Sequence, residues 1–162
     1  MFTRQFPEFI TITALGWKPI LKPKSHKQVV IDSLRFLVKE KRVRLYCFVI
    51  MDNHFHLIWQ IMDAHNREDV QRDFLRFTAQ QLLKILRNKR SPLLNDFYVG
   101  MTDRKYQVWQ RDSLSIGLWT PAVFKQKLNY IHKNPVKARL CVLPEDYEFS
   151  SAGFYEKDDL KW

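Results

Sequence analysis

Cysteine, acidic side chains and long apolar runs are all in short supply in this chain of 162 residues. The two cysteines, Cys47 and Cys141, are embedded in apolar sequence. They are too few for a disulfide framework, so buried free thiols in a reducing compartment are expected. No apolar stretch approaches the ~18 residues that would span a bilayer. The N-terminus, Met1-Phe2-Thr3-Arg4-Gln5, lacks the charged-then-apolar pattern of a leader. A cytoplasmic protein with no membrane role is therefore expected. Internal repeats and low-complexity tracts are missing too, and 46% hydrophobic with 27% charged residues describes an ordinary globule. A single domain over residues 1–162 fits that length.

The shortage of acid is the more telling deficit. Seventeen Asp and Glu stand against 27 Lys and Arg, a formal charge of +10 with a pI near 9.7. The excess is spread along the chain and suits a phosphate-rich partner, since each phosphate neutralised releases counterions. An acidic membrane surface would suit the charge equally, but no basic amphipathic helix with a strong apolar face stands out as an anchor.

The order of elements can be read from periodicity. Phe9 to Leu15 is rich in β-branched residues and predicts a first strand. Residues 18–25, with Pro19 and Pro23, predict a loop. From about Lys27 to Lys41, Val30, Leu34, Leu37 and Val38 recur at helical spacing. Val43 to Met51 is nearly continuously apolar and predicts a central strand buried on both faces. Asp52-Asn53 is turn chemistry, returning the chain into a strand from His54 to Met62. A long helix is predicted from about Glu68 to Arg87, with Leu75, Ala79, Leu82, Leu83 and Leu86 as its apolar stripe. Residues 88–105 read as a long connection and Tyr106 to Arg111 as a fourth strand. Thr120-Pro121 starts a last helix, ending near Asn134 because Pro135 disfavours helical geometry before it. The order β-α-β-β-α-β plus a helix predicts an α+β, ferredoxin-like antiparallel sheet, with two helices on one face and the last helix over the other.

Within the third strand, His54 and His56 point the same way, because side chains two apart share a face. Phe55, Leu57, Trp59 and Ile61 then form the opposite, apolar face. Two imidazoles so placed suit one metal ion, and equally suit half-buried structural histidines. On the last helix, Phe124, Leu128 and Ile131 form an apolar stripe, while Tyr130 and Asn134, four residues apart, share its flank. By spacing alone that pair is read either as site residues or as a packing tyrosine with a capping asparagine.

Met51-Asp52-Asn53-His54-Phe55-His56, followed about 70 residues later by Tyr130-Ile131-His132-Lys133-Asn134-Pro135-Val136-Lys137-Ala138, resembles the single-tyrosine HUH transposases, specifically the REP-associated tyrosine transposases. Tyr106-Gln107-Val108-Trp109-Gln110 and the tail Tyr147-x-Phe149-Ser150-Ser151-Ala152 resemble the same family, so the likeness spans nearly the whole chain. The resemblance implies a DNA strand-transfer enzyme acting on single-stranded or hairpin DNA, with palindromic repeats as substrate. It implies Tyr130 as nucleophile, and His54, His56 and Asn134 as ligands of a divalent metal, Mg²⁺ or Mn²⁺. Zinc is disfavoured, because neither cysteine lies at ligand spacing from the histidines. Lys133, Lys137 and Arg139 form a basic run beyond the tyrosine that would grip backbone phosphates, or simply a solvated helix end.

Two positions depart from the family pattern: Asp52 stands where proline is common, and Arg139 where glycine is common. Asp52 is read chiefly as a turn residue, with a carboxylate near the metal as the alternative. His26, His65 and His132 have polar neighbours in the sequence and are expected at the surface. Trp17, Trp109 and Trp119 are candidates for base stacking or for packing. A non-cutting DNA-binding regulator and a metal-dependent hydrolase of a small phosphoester remain as competing functions. Monomer and homodimer are both open.

Overall fold

The computed structural model describes residues 5–156. Its strands and α-helices are β1 (Glu8–Thr13), α1 (Lys24–Lys39), β2 (Val43–Ile50), β3 (His54–Ile61), α2 (Arg67–Asn88), β4 (Leu114–Gly117), α3 (Pro121–Lys137) and α4 (Ala152–Glu156). The strands form one antiparallel sheet in the order β2-β3-β1-β4, which is the ferredoxin-like arrangement expected. Among the described residues, no helix is long and apolar enough to cross a membrane.

Alternation along β3 divides the molecule into two layers. Phe55, Leu57, Trp59 and Ile61 join Ile10 and Ile12 of β1 against Val30, Leu34 and Leu37 of α1 and Val70, Phe74, Leu82 and Leu86 of α2. Burying each such side chain is worth about 1.5–3 kcal/mol. On the other face Phe9, Cys47, Val49 and Ile58 meet Ile131 of α3, with Phe124 and Leu128 packed alongside. The buried stripe of α2 runs through Val70, Phe74 and Thr78, while Leu75 and Ala79 are only half-buried.

Several sequence expectations are corrected. β2 is an edge strand and not a central one. Its apolar character is explained by the tail, which lies along that edge: the Ile50 and Ser151 amides donate to the Phe149 and Phe48 carbonyls at 2.8 and 3.0 Å. The Ser151 hydroxyl also accepts from the Phe48 amide at 2.9 Å, and the Tyr147 hydroxyl donates to the Ile50 carbonyl at 2.6 Å. The family-like tail is thus the strap that closes β2. The fourth strand is Leu114–Gly117, whereas Tyr106 to Arg111 contributes only isolated bridges, Trp109 to Ala14 and Tyr106 to Tyr98. The Trp109 side chain meanwhile packs into the core: it is 6% exposed, and its indole N–H donates to the Thr78 hydroxyl at 3.1 Å. His26 and His132 are buried, since tertiary packing overrides their polar neighbours in sequence. Cys47 is buried but Cys141 is only half-buried.

α3 continues through Pro135 to Lys137. The interruption falls in the last turn, where the helix closes with the Leu140 and Arg139 amides donating to the Pro135 and Val136 carbonyls. That closure needs a left-handed residue, and Arg139 takes it with φ of 59°. α1 and α2 end the same way on Lys41 (φ 54°) and Arg90 (φ 49°). Glycine is the ordinary occupant of this position. In a chain with only four glycines, three basic residues stand there instead, where the helix dipole favours a cation.

Candidate active site

β3 delivers His54 and His56 to the face covered by α3, with their ring centroids 4.9 Å apart. α3 brings Tyr130 over them, its ring 5.3 Å from that of His56. Phe9 of β1 stacks on His56 at 5.4 Å and meets the Tyr130 ring edge-on at 5.9 Å, flooring the site with an apolar surface. Tyr130 is 40% exposed, which leaves its hydroxyl within reach of a macromolecule.

Neighbouring groups fix how the imidazoles present themselves. The Asn53 side-chain amide donates to the Trp17 carbonyl at 3.3 Å, so its oxygen faces His54 and accepts from Nδ1 at 2.7 Å. His56 Nδ1 is engaged by the Thr11 hydroxyl at 2.8 Å. Both partners engage Nδ1 and leave Nε2 of each ring outside these contacts, as in metal-binding histidines whose other nitrogen is held by a neighbour. Burial lowers the pKa of His54, and burial, His54 and Lys127 together lower His56 to about 3. Both imidazoles are thus neutral, and competent as ligands, at physiological pH.

Two neutral imidazoles on one face are donors of the kind a divalent cation accepts. Among the described residues no group of three or more His, Cys, Asp or Glu is placed to hold a metal, so a third protein donor beside the two imidazoles has to be of another type. Asn134, half-buried and one turn beyond Tyr130, offers an amide oxygen. The carboxylate of Asp52 is committed elsewhere, to the buried Lys27 ammonium at 2.7 Å.

Cations cluster on the tyrosine. Lys137 Nζ lies 5.6 Å from the ring centroid of Tyr130, and Lys127 Nζ lies 5.7 Å from it and 5.0 Å from that of Phe9. Lys127 escaped the sequence reading, although its signal was there: Lys127, Tyr130, Asn134 and Lys137 repeat at helical spacing along one face. Lys133 and Arg139 are exposed, and Arg139 closes the helix. Of the tryptophans in question, Trp109 packs in the core, whereas Trp17 and Trp119 are exposed.

No family model matches this sequence, and no curated protein does. Solved structures do. A REP-associated tyrosine transposase bound to a REP hairpin matches with a TM-score of 0.69 at 14% identity, over 94% of this chain and 80% of that one. A candidate transposase from Deinococcus radiodurans R1 matches with a TM-score of 0.54 at 11% identity, over 82% of this chain and 92% of that one. At such identities the likeness is one of backbone architecture, and this chain has the fold of the REP-associated tyrosine transposases.

Proposed function

We propose that this protein is a metal-dependent DNA strand transferase that nicks and rejoins single-stranded or hairpin DNA through Tyr130. The observation that carries the reading is the phenol of α3 set beside two neutral imidazoles, each engaged by its neighbour through Nδ1. The transposase fold, the +10 charge and the hairpin held by the structural neighbour support DNA as the partner.

His54, His56 and Asn134 would hold Mg²⁺ or Mn²⁺, which when bound supplies charge neutralisation at the scissile phosphate. Tyr130 Oη attacks the phosphorus. The bond to the 3′ oxygen breaks, the phenolic proton leaves to solvent, and the departing oxygen gains one from solvent. The products are a 5′-phosphotyrosyl link and a free 3′-hydroxyl. Attack by a 3′-hydroxyl on that link reverses the step and rejoins DNA without a nucleotide cofactor, because the phosphodiester energy is retained. Lys127 and Lys137, flanking the Tyr130 ring, hold the phosphate against the nucleophile.

Incubation with a labelled hairpin bearing an unpaired flank and Mg²⁺ should give a protein–DNA adduct that survives denaturant. Tyr130→Phe, His56→Ala and chelation should each abolish it. An adduct that forms equally well with Tyr130→Phe would refute the nucleophile assignment. Tight binding with no nick, with or without chelator, would make the protein a DNA-binding regulator instead.

A further inference from the structure

Trp17 combines three properties that its own fold does not require. It is 58% exposed. It stands with Gly16 at the centre of a turn in which both residues have positive φ, 62° for the glycine and 58° for the tryptophan. Such turns ordinarily place Gly or Asn at both centres, and a bulky side chain there is held in a strained backbone. Its indole presents an edge to His54, with the ring centroids 6.0 Å apart. Strain kept at an exposed aromatic beside a ligand-competent histidine points to a use outside the fold itself.

Asn53 supplies the connection. One end of its amide accepts from His54 and the other donates to the Trp17 carbonyl, while its backbone carbonyl accepts from the Ala14 amide at 2.8 Å. Turn, tryptophan and imidazole are thereby braced to one residue, so the indole is fixed relative to whatever His54 faces. Trp119 makes an instructive contrast. It is more exposed, at 69%, yet its ring packs on Phe6 at 4.6 Å and lies against Gly117 at the opposite end of β1.

We infer that Trp17 is the stacking platform for an unpaired base adjoining the phosphate bound at His54 and His56, with Asn53 as the residue that positions it. This rests on the proposed DNA-processing reading. It adds a distinct requirement: the nucleotide next to the reacting phosphate is splayed out of any duplex and held by its π-face. Stacking of this kind tolerates any base, because every base offers such a face, so the platform fixes where the strand lies and not which sequence is chosen.

The test separates binding from cutting by using Tyr130→Phe as the parent. The probe is a short oligothymidylate carrying one 2-aminopurine, whose fluorescence is quenched on stacking. Moving the reporter along the strand should reveal quenching on binding to the parent. Adding Trp17→Ala should remove the quench and weaken binding by about tenfold, the effect of losing one stacked base, while Trp17→Phe retains most of both. Trp17→Gly should lose the quench yet melt no lower than the parent, since glycine relieves the turn. Asn53→Ala should diminish the quench, and Trp119→Ala should leave it intact. Unchanged binding and quenching with Trp17→Ala, or no quenching in the parent at any position, would overturn the proposal. Quenching that depends on Trp17 in a protein whose wild type forms no adduct would uphold the platform and overturn the cutting reading alone.

Discussion

The two faces of the sheet are built on different terms. The face under α1 and α2 is dry and crowded, with Phe55, Trp59, Phe74 and Trp109 interlocking edge to face. The face under α3 has a smaller apolar patch, and beside it His56 and His132 are buried neutral while Tyr130 stays open. Adjacent residues of β3 serve the two sides, so a single strand carries the heart of the fold and the candidate chemistry at once. Stability is concentrated on one side, and the other gives up burial in exchange for reactive groups.

The strongest challenge to that contrast is a pair of neighbouring substitutions. Phe55→Ala should lower the unfolding free energy by about 3–5 kcal/mol in urea titrations. His56→Ala should cost less than half as much while abolishing adduct formation; equal stability losses would mean that the faces are not specialised. Acid supplies the next test. His56 and His132 are held chiefly by burial at about 3 and about 4, below the usual imidazole value of 6.5; His54 is lowered too, and on the other face only His26 of α1 is. In metal-free protein the unfolded chain therefore binds protons that the folded one refuses. Stability should change little between about pH 6.5 and 8 and fall below that window, by up to about 1.4 kcal/mol per pH unit for each such histidine. Amide exchange should quicken in α3 before it does in α1, and simultaneous loss would break the comparison.

Ser151→Ala should be milder, about 1–3 kcal/mol by thermal melting, because it removes the hydroxyl that accepts from the Phe48 amide and lies 2.8 Å from the buried His132 ring nitrogen. The smallest effect runs the other way. Arg139→Gly should stabilise the protein by about 1 kcal/mol by relieving the left-handed backbone that ends α3. A destabilised variant would show that the arginine side chain does more there than close a helix.

What was legible in the sequence follows the same division. β3 is readable because both of its faces carry marked side chains; helical spacing puts Tyr130 and Asn134 on one flank, but only the family resemblance singles them out as site residues. β4 is not readable, since Leu114 and Ser115 lie exposed on an edge strand and leave no buried alternation to detect. Tyr106 to Arg111 has the composition of a strand yet makes only isolated bridges. An apolar edge strand such as β2 looks central until the chain that covers it is known, and that chain arrives 100 residues later. His132 read as a surface residue because its sequence neighbours are polar, and its partner Ser151 is likewise distant. Lys127 has the spacing but no distinguishing mark, being one of many lysines in a basic chain.

The strap along β2 also has a bearing on the order of synthesis. Its residues follow every candidate active-site residue in the chain, yet through Ser151 they hold the helix that carries the tyrosine. A ribosome would release the histidines and the tyrosine before the segment that ties α3 to β2. Premature termination after Lys137 would yield a chain with all its reactive groups, an open sheet edge and an untethered α3. Such fragments would tend towards aggregation through that edge.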